Sequence, residues 1–203
     1  MMRILQEHNK AFITWFREII FANDGVSKTL SLLAVGPNHN VATWKGYDIN
    51  NYPFYTKSKD DKSLMQNSGV SVDADSDHFS SASDNNPIRA TMPYFGVIQE
   101  ICELDYTEFR PVIFKCKWVN ANTGVRQDEF GFTLVDLNKV GYVDKPFIMA
   151  QEARQVFYVQ DPCDSIYSVV LQGRQSGFDD SLDHCTIDIC ETPPFFHQNA
   201  FYQ

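Results

Sequence analysis

Five cysteines and five histidines are the residues in this chain best suited to hold a metal or attack a substrate. The cysteines stand at 102, 116, 163, 185 and 190, and no two form a Cys-x-x-Cys pair. An odd number without that spacing fits reduced thiols in a reducing compartment better than a disulfide framework. His184, Cys185, Cys190 and His197 gather ligand types in one stretch, but their spacing follows no common zinc pattern. Asp73, Asp75 and Asp77 suggest calcium, yet the stretch lacks the glycine and terminal glutamate of an EF-hand loop. His78 lies near Ser80 and Ser81 inside a low-complexity segment. P-loop, dinucleotide, His-Glu-x-x-His and Gly-x-Ser-x-Gly signatures do not occur. No spacing singles out a carboxylate pair for acid–base or two-metal work. The expectation is a chain without catalytic residues, metal or cofactor, which binds or assembles.

Charge narrows the partners. The chain carries 17 Lys/Arg against 26 Asp/Glu, net −9. Residues 1–46 hold five basic and three acidic residues, whereas residues 176–203 hold no basic and five acidic ones. Nucleic-acid binding is driven by phosphate contacts and needs a basic stripe. Any such contact here has to come from a local patch, with Lys115, Lys117, Lys139 and Lys145 as candidates. Lys115 and Lys117 share the polar face of one strand, where a solvated face is the simpler reading. No apolar run reaches the ~18 residues of a membrane span, and the polar start is unlike a signal peptide. An intracellular location is expected.

The elements that position these residues change character along the chain. Phe12, Trp15, Phe16 and Ile19 recur at helical spacing, which predicts a helix over 4–22 with one apolar face, for the core or for a partner. Ser27 is suited to cap a second helix running to Val35, stopped by Gly36-Pro37. From Val41 the period becomes 2. Ile49-Asn50-Asn51-Tyr52 reads as a hairpin turn, because Asn tolerates positive φ. Gly69 to Asp73 starts another strand. Residues 73–87 read as a polar loop. Tyr94 to Leu104 is apolar on both faces; in Pro111 to Val119, Val112, Phe114, Cys116 and Trp118 alternate with lysines. Phe130–Leu137, Gln155–Gln160 and Ile166–Gln172 complete a set of short strands, the pattern of an all-β barrel or sandwich. The acidic segment 175–203, with Pro193-Pro194, reads as a disordered tail.

Several ordered motifs carry a resemblance. Leu33-Ala34-Val35-Gly36-Pro37, Gly46-Tyr47-Asp48-Ile49-Asn50-Asn51-Tyr52, Met65 to Val70, Tyr94 to Ile98, Phe114 to Trp118, Val135 to Asn138, Pro146 to Ala150 and Gln155 to Val159 resemble the region after the transposase core of plant CACTA (En/Spm-type) elements. The part from about 94 to 174 resembles the DUF4216 family. The resemblance implies a nuclear, transposon-derived protein and supplies no activity, since the nuclease core precedes this region in such transposases. The order of Tyr94-Phe95-Gly96-Val97-Ile98, Phe114–Trp118 and Gln155–Tyr158 followed by Asp161-Pro162 is also similar to BAH domains, chromatin modules on an SH3-like barrel.

The expected fold is therefore mainly β (α+β overall). It has a helical segment over 1–40, a BAH-like barrel over 41–174 and a tail over 175–203. The BAH similarity makes Tyr94, Trp118 and Tyr158 candidates for an aromatic cage around a methylated lysine, where each cation–π contact is worth on the order of 0.5–2 kcal/mol. Trp118, on the apolar face of its strand with Val112, Phe114 and Cys116, reads first as core and only second as a cage wall, whereas Tyr94 and Tyr158 suit either place. Two functions remain open: a chromatin or peptide reader of a histone tail, and an assembly segment packing on the transposase core or another subunit. An exposed concave cluster of aromatics favours the first, and a flat apolar patch on the 4–22 helix the second.

Overall fold

A computed structural model describes residues 2–78 and 88–173, with side chains over 11–75 and 90–173. Helix α1 spans Met2–Ala22 and α2 spans Lys28–Val35. Ser27 caps α2, its side chain accepting the Leu30 N–H at 3.3 Å. Strand β1 (Ala42–Trp44) precedes a hairpin of β2 (Gly46–Ile49) and β3 (Tyr52–Tyr55). Its two-residue turn holds Asn50 at φ 52° and Asn51 at φ 67°, the conformation their side chains tolerate. One helical turn, α3 (Lys57–Asp60), follows.

The main sheet is antiparallel. It contains β4 (Gly69–His78), β5 (Ile88–Glu103), β6 (Val112–Val119), β7 (Val125–Gln127), β8 (Thr133–Val135), β9 (Val140–Gly141), β10 (Phe147–Met149), β11 (Arg154–Gln160) and β12 (Ser168–Gln172). Its order is β10-β6-β5-β4-β11-β12-β8-β7, with β1 beside β5 and β9 beside β6. The sheet curls into a half-barrel, and the fold is mainly β, as the switch to period 2 predicts. The strands too short to show a period, β7, β9 and β10, were not legible in the sequence, and neither was the single turn of α3.

Strand β5 carries the architecture. Ile98 pairs with Cys116 and Glu100 with Lys115, so Gln99 is an extra, bulged residue. The bulge resets the alternation. Ile98 and Ile101 both reach the main core, with Phe54, Val70, Phe114, Cys116 and Trp118. Phe95, on the opposite face, packs with Val119 and Val135 in a second core. The apolar character of both faces of this strand has that cause.

Two expectations change. Residues 73–78 are not loop but the outer part of β4, paired with β5 from Asp73↔Pro93 to His78↔Ile88. Asp73 and Asp75 are exposed there: Asp75 accepts from Thr91 Oγ1 at 2.9 Å, and Asp73 meets Arg154 at 2.6 Å. The apolar stripe of α1 is also not core. Trp15 and Ile19 remain 53% and 40% exposed, while Arg17 and Ile20 face α2. Helix α2 is only eight residues long and offers too little surface to cover the stripe. The remainder of the polar loop and the acidic tail lie outside the described residues.

A buried carboxylate joins the hairpin to the sheet. Asp60 Oδ2 accepts the backbone N–H groups of Asn67 (3.0 Å) and Ser68 (2.7 Å), which sets the chain at the entry to β4. Gln155 Nε2 donates to Pro53 O at 2.7 Å and to Asn67 Oδ1 at 3.3 Å, tying the same turn to β11. Asp60→Ala removes the acceptor from two enclosed donors and is expected to cost about 2–6 kcal/mol, since each orphaned group costs ~1–3 kcal/mol. Urea unfolding tests this; an unchanged midpoint would mean that the carboxylate does not organise the turn.

Candidate functional site

The three cage candidates occupy three different environments. Trp118 is 3% exposed and belongs to the main core, paired across from Gly96. A Cβ at Gly96 would stand 2.6 Å from Trp118 Cε3, so the indole lies flat where only glycine leaves room. Tyr158 packs in the second core, and its hydroxyl donates to Gly96 O at 2.8 Å and lies 3.4 Å from Val70 O. Tyr94 is half-buried against the main core and meets Tyr142 edge-on, with centroids 5.2 Å apart. Only Tyr94 keeps a partly open ring beside a second aromatic. Trp118 lies in the main core, where its strand alternates cleanly and Val112, Phe114, Cys116 and Trp118 share the inward face.

The four candidate lysines lie along β6 and its neighbours. Lys115 Nζ contacts Glu100 Oε1 at 2.7 Å, which neutralises it locally. Lys117 is exposed on the same face. The Asn120 N–H donates to Lys139 O at 2.7 Å and the Cys116 N–H to Pro146 O at 2.8 Å, which sets Lys139 and the segment after Lys145 against β6. Two of the four thus lie on β6, and the other two in segments whose backbone is bonded beside it or adjoins the residue that is. Among the described residues no group of three or more His, Cys, Asp or Glu converges to hold a metal. Cys102 and Cys116 are buried and Cys163 is exposed, all as free thiols. The His184–His197 stretch lies outside the described residues.

An open cleft of about 600 Å³ separates α2 from the turn after β5, lined by Arg17, Pro37, His39, Asp105, Tyr106 and Thr107. Its one guanidinium is engaged: Arg17 Nε donates to Ala34 O at 2.7 Å and Nη2 to Val35 O at 3.3 Å, closing the C-terminus of α2. Thr107 sits at φ 73°, unusual for a β-branched residue, with its N–H held by Asp105 Oδ1 at 2.8 Å.

Exposed apolar side chains lie elsewhere. On α1 they are Ile13, Trp15, Ile19 and Phe21, and on α2 Leu30, Leu33 and Val35. Phe130 and Phe132 stand out from the β7–β8 turn. That turn is built around Asp128, whose Oδ1 accepts the N–H groups of Phe130 (2.9 Å) and Phe132 (2.8 Å), with Gly131 at φ 85°. Sequence reading assigns Phe130 to a strand. The Asp128-x-x-Gly131 spacing was the available turn signal.

Comparison with known proteins adds one match. The model of a family described only as a domain of unknown function, DUF4216, matches residues 102–170, from the end of β5 into β12. A DUF4216 domain is therefore present in this chain, over roughly a third of its length. No curated protein and no solved structure matches the chain.

Trp118→Ala is expected to cost about 3–5 kcal/mol of stability, the range for removing a large core ring, and a melting temperature equal to wild type would contradict its core placement. A second outcome concerns pH. Burial pushes the Tyr158 hydroxyl far above its ordinary value, and burial does the same to the Cys116 thiol. Both are neutral acids held protonated by the fold. Their contribution is complete below the unfolded values near pH 9–10, and it is lost as pH rises, because the unfolded chain then releases protons that the folded one keeps. The urea midpoint is expected to fall above about pH 9, less steeply in Tyr158→Phe. Identical alkaline slopes would contradict the assignment.

Proposed function

We propose that this chain is a non-catalytic assembly module of a CACTA-type transposon protein, in which the α1–α2 layer docks on another protein of the transposition machinery. The observation that carries this reading is the apolar face of α1 left open on a folded β domain, with Trp15 and Ile19 half exposed. A contiguous apolar face marks an interaction surface on a soluble fold, and an amphipathic helix is a common docking element. The DUF4216 match and the ordered motifs over nearly the whole chain support the transposon origin. Such an origin implies nuclear action and gives no ground for strand cleavage.

The histone-tail reading draws less support. A methylammonium cage needs several open ring faces around one cation. Trp118 is enclosed, and the hydroxyl of Tyr158 is committed to backbone carbonyls.

The test uses the full chain immobilised and offered the nuclease core of a CACTA transposase. Capture is expected, together with its loss in Trp15→Ser/Ile19→Ser at an unchanged denaturation midpoint. Equal capture by that variant would overturn the helix assignment. Metal-dependent cutting of transposon-end DNA that disappears on changing one Asp or Glu here would overturn the non-catalytic reading.

A further inference from the structure

Little joins the two helices to the β domain. Among the described residues, no apolar side chain of either helix belongs to, or packs against, the two cores of that domain. Arg17 binds α1 to the end of α2, so the helices form one layer. The open cleft of about 600 Å³ separates this layer from the turn between β5 and β6. Leu32 and Val35 line one wall, and Asp105, Tyr106 and Thr107 the other.

The chain leaves the layer through Gly36 and Pro37, and both sides of this step are anchored. The Gly36 N–H donates to Leu32 O at 3.0 Å, which ends α2. The Asn38 N–H donates to Asp105 O at 2.7 Å, and Ala42–Trp44 then pair with Ile101–Glu103 on β5. Between the anchors Gly36 stands at φ 93° and ψ 169°, a conformation that suits glycine. Rotation about its two dihedrals keeps the Leu32 bond, because the N–H belongs to the preceding peptide plane. Such a rotation moves both helices as one body against the sheet. Hinges consist of a few residues of this kind at element ends.

Lys28 Nζ meets Glu108 Oε1 across the gap. Among the described residues it is the one polar contact between a helix side chain and the β domain. Both ends are firmly seated. Ser27 caps α2 directly before Lys28. Glu108 stands in a turn closed by the Tyr106 N–H on Phe109 O at 3.1 Å, with the Tyr106 and Phe109 rings stacked at 4.8 Å. Helix α2 has no acidic residue of its own to compete for Lys28. The pair itself is solvated, its side chains 75% and 45% exposed. An exposed pair biases an equilibrium by about fivefold at most, and salt weakens it further.

We infer that the α1–α2 layer is a hinged arm, which turns about Gly36–Pro37 and is latched to the β5–β6 turn by Lys28 and Glu108. The latched arm holds the cleft at its present width, and release opens it. A solvated latch of this strength lets ionic strength set the fraction open. The arm needs no partner to move, so its motion is separable from any docking role.

The experiment measures the distance between nitroxides at Thr29→Cys and Lys117→Cys by pulsed electron paramagnetic resonance. It uses the full chain with Cys163, Cys185 and Cys190 changed to Ser. Two distances are expected, one latched and one open. The ratio of open to latched is expected to rise about two- to fivefold between low salt and about 1 M salt, where the screening length is ~3 Å. Glu108→Lys sets like charges together, so its open fraction is expected to be high at low salt and to fall as salt is added. The swap Lys28→Glu/Glu108→Lys restores the attraction and is expected to behave as wild type. Circular dichroism spectra equal to wild type show that both variants fold. A single distance, unmoved by salt and by Glu108→Lys, would overturn the hinge. Two distances in proportions that ignore Glu108→Lys, or a swap that stays open, would overturn the latch.

Discussion

Strand β5 is sixteen residues long and has to serve two cores, and the bulge at Gln99 lets it do so. Without the extra residue, period-2 alternation would send Ile98 and Ile101 to opposite faces. One of them would then meet water while the main core lost an isoleucine, a loss of ~2–5 kcal/mol by the measure of large-to-small core changes. With the bulge, both lie fully buried beside Phe114. A bulge also increases local twist. The strand pairs β4 along its first part, β6 along its last part and β1 at its end, so a twist placed between these ladders turns a flat sheet into a curled one.

The curl is then fastened by groups that have the residue types of a binding site. The Tyr158 hydroxyl meets carbonyl oxygens on β4 and β5, where those strands approach β11. Ladder pairing between β4 and β11 involves only Arg154↔Ser71 and Gln155↔Val70. Beyond it, the side chain of Gln66 takes the place of a strand: Tyr158 N donates to Gln66 Oε1 at 2.5 Å, and Gln66 Nε2 donates to Tyr158 O at 3.3 Å. Gly96 serves both rings, lying under the Trp118 indole and offering its carbonyl to Tyr158. Gly69 makes room in the same way, since a Cβ there would stand 2.2 Å from Val156 O. These aromatics, glycines and amides thus take part in closure of the sheet.

How much of this was legible follows from which signals are local. The helix cap at Ser27, the Asn50-Asn51 turn and the alternation of β6 depend on neighbours in sequence, and all three are present in the fold. The stripe on α1 was equally legible as a stripe, but whether it is covered depends on what stands opposite. Periodicity reports a face and not its partner. Trp118 shows the same limit, because an apolar strand face is identical in sequence whether it lines a core or a cleft. The bulge left a trace, apolar residues on both faces of β5, that reads as an internal strand until the register is known. Asp60 left none. A carboxylate after two lysines looks like a solvated turn, and only the backbone donors of Asn67 and Ser68 show why it is enclosed.

Burial, finally, is distributed unevenly, and that imbalance bears on function. The β domain encloses Phe54, Ile98, Ile101, Phe114, Val135 and Val156 almost completely, whereas among the described side chains of the two helices only Ile20 and Ala34 are buried. Arg17 ties α1 to α2 through carbonyls at the end of the shorter helix, a contact that fixes direction and buries little apolar area. Isolated helices of this length owe most of their stability to tertiary packing of an apolar face. Trp15 and Ile19, half exposed on the open side of α1, therefore forgo stabilisation that a partner would supply at ~25 cal/mol per Å² covered. The same holds for Val159, Leu171 and Phe132 on the outward sheet.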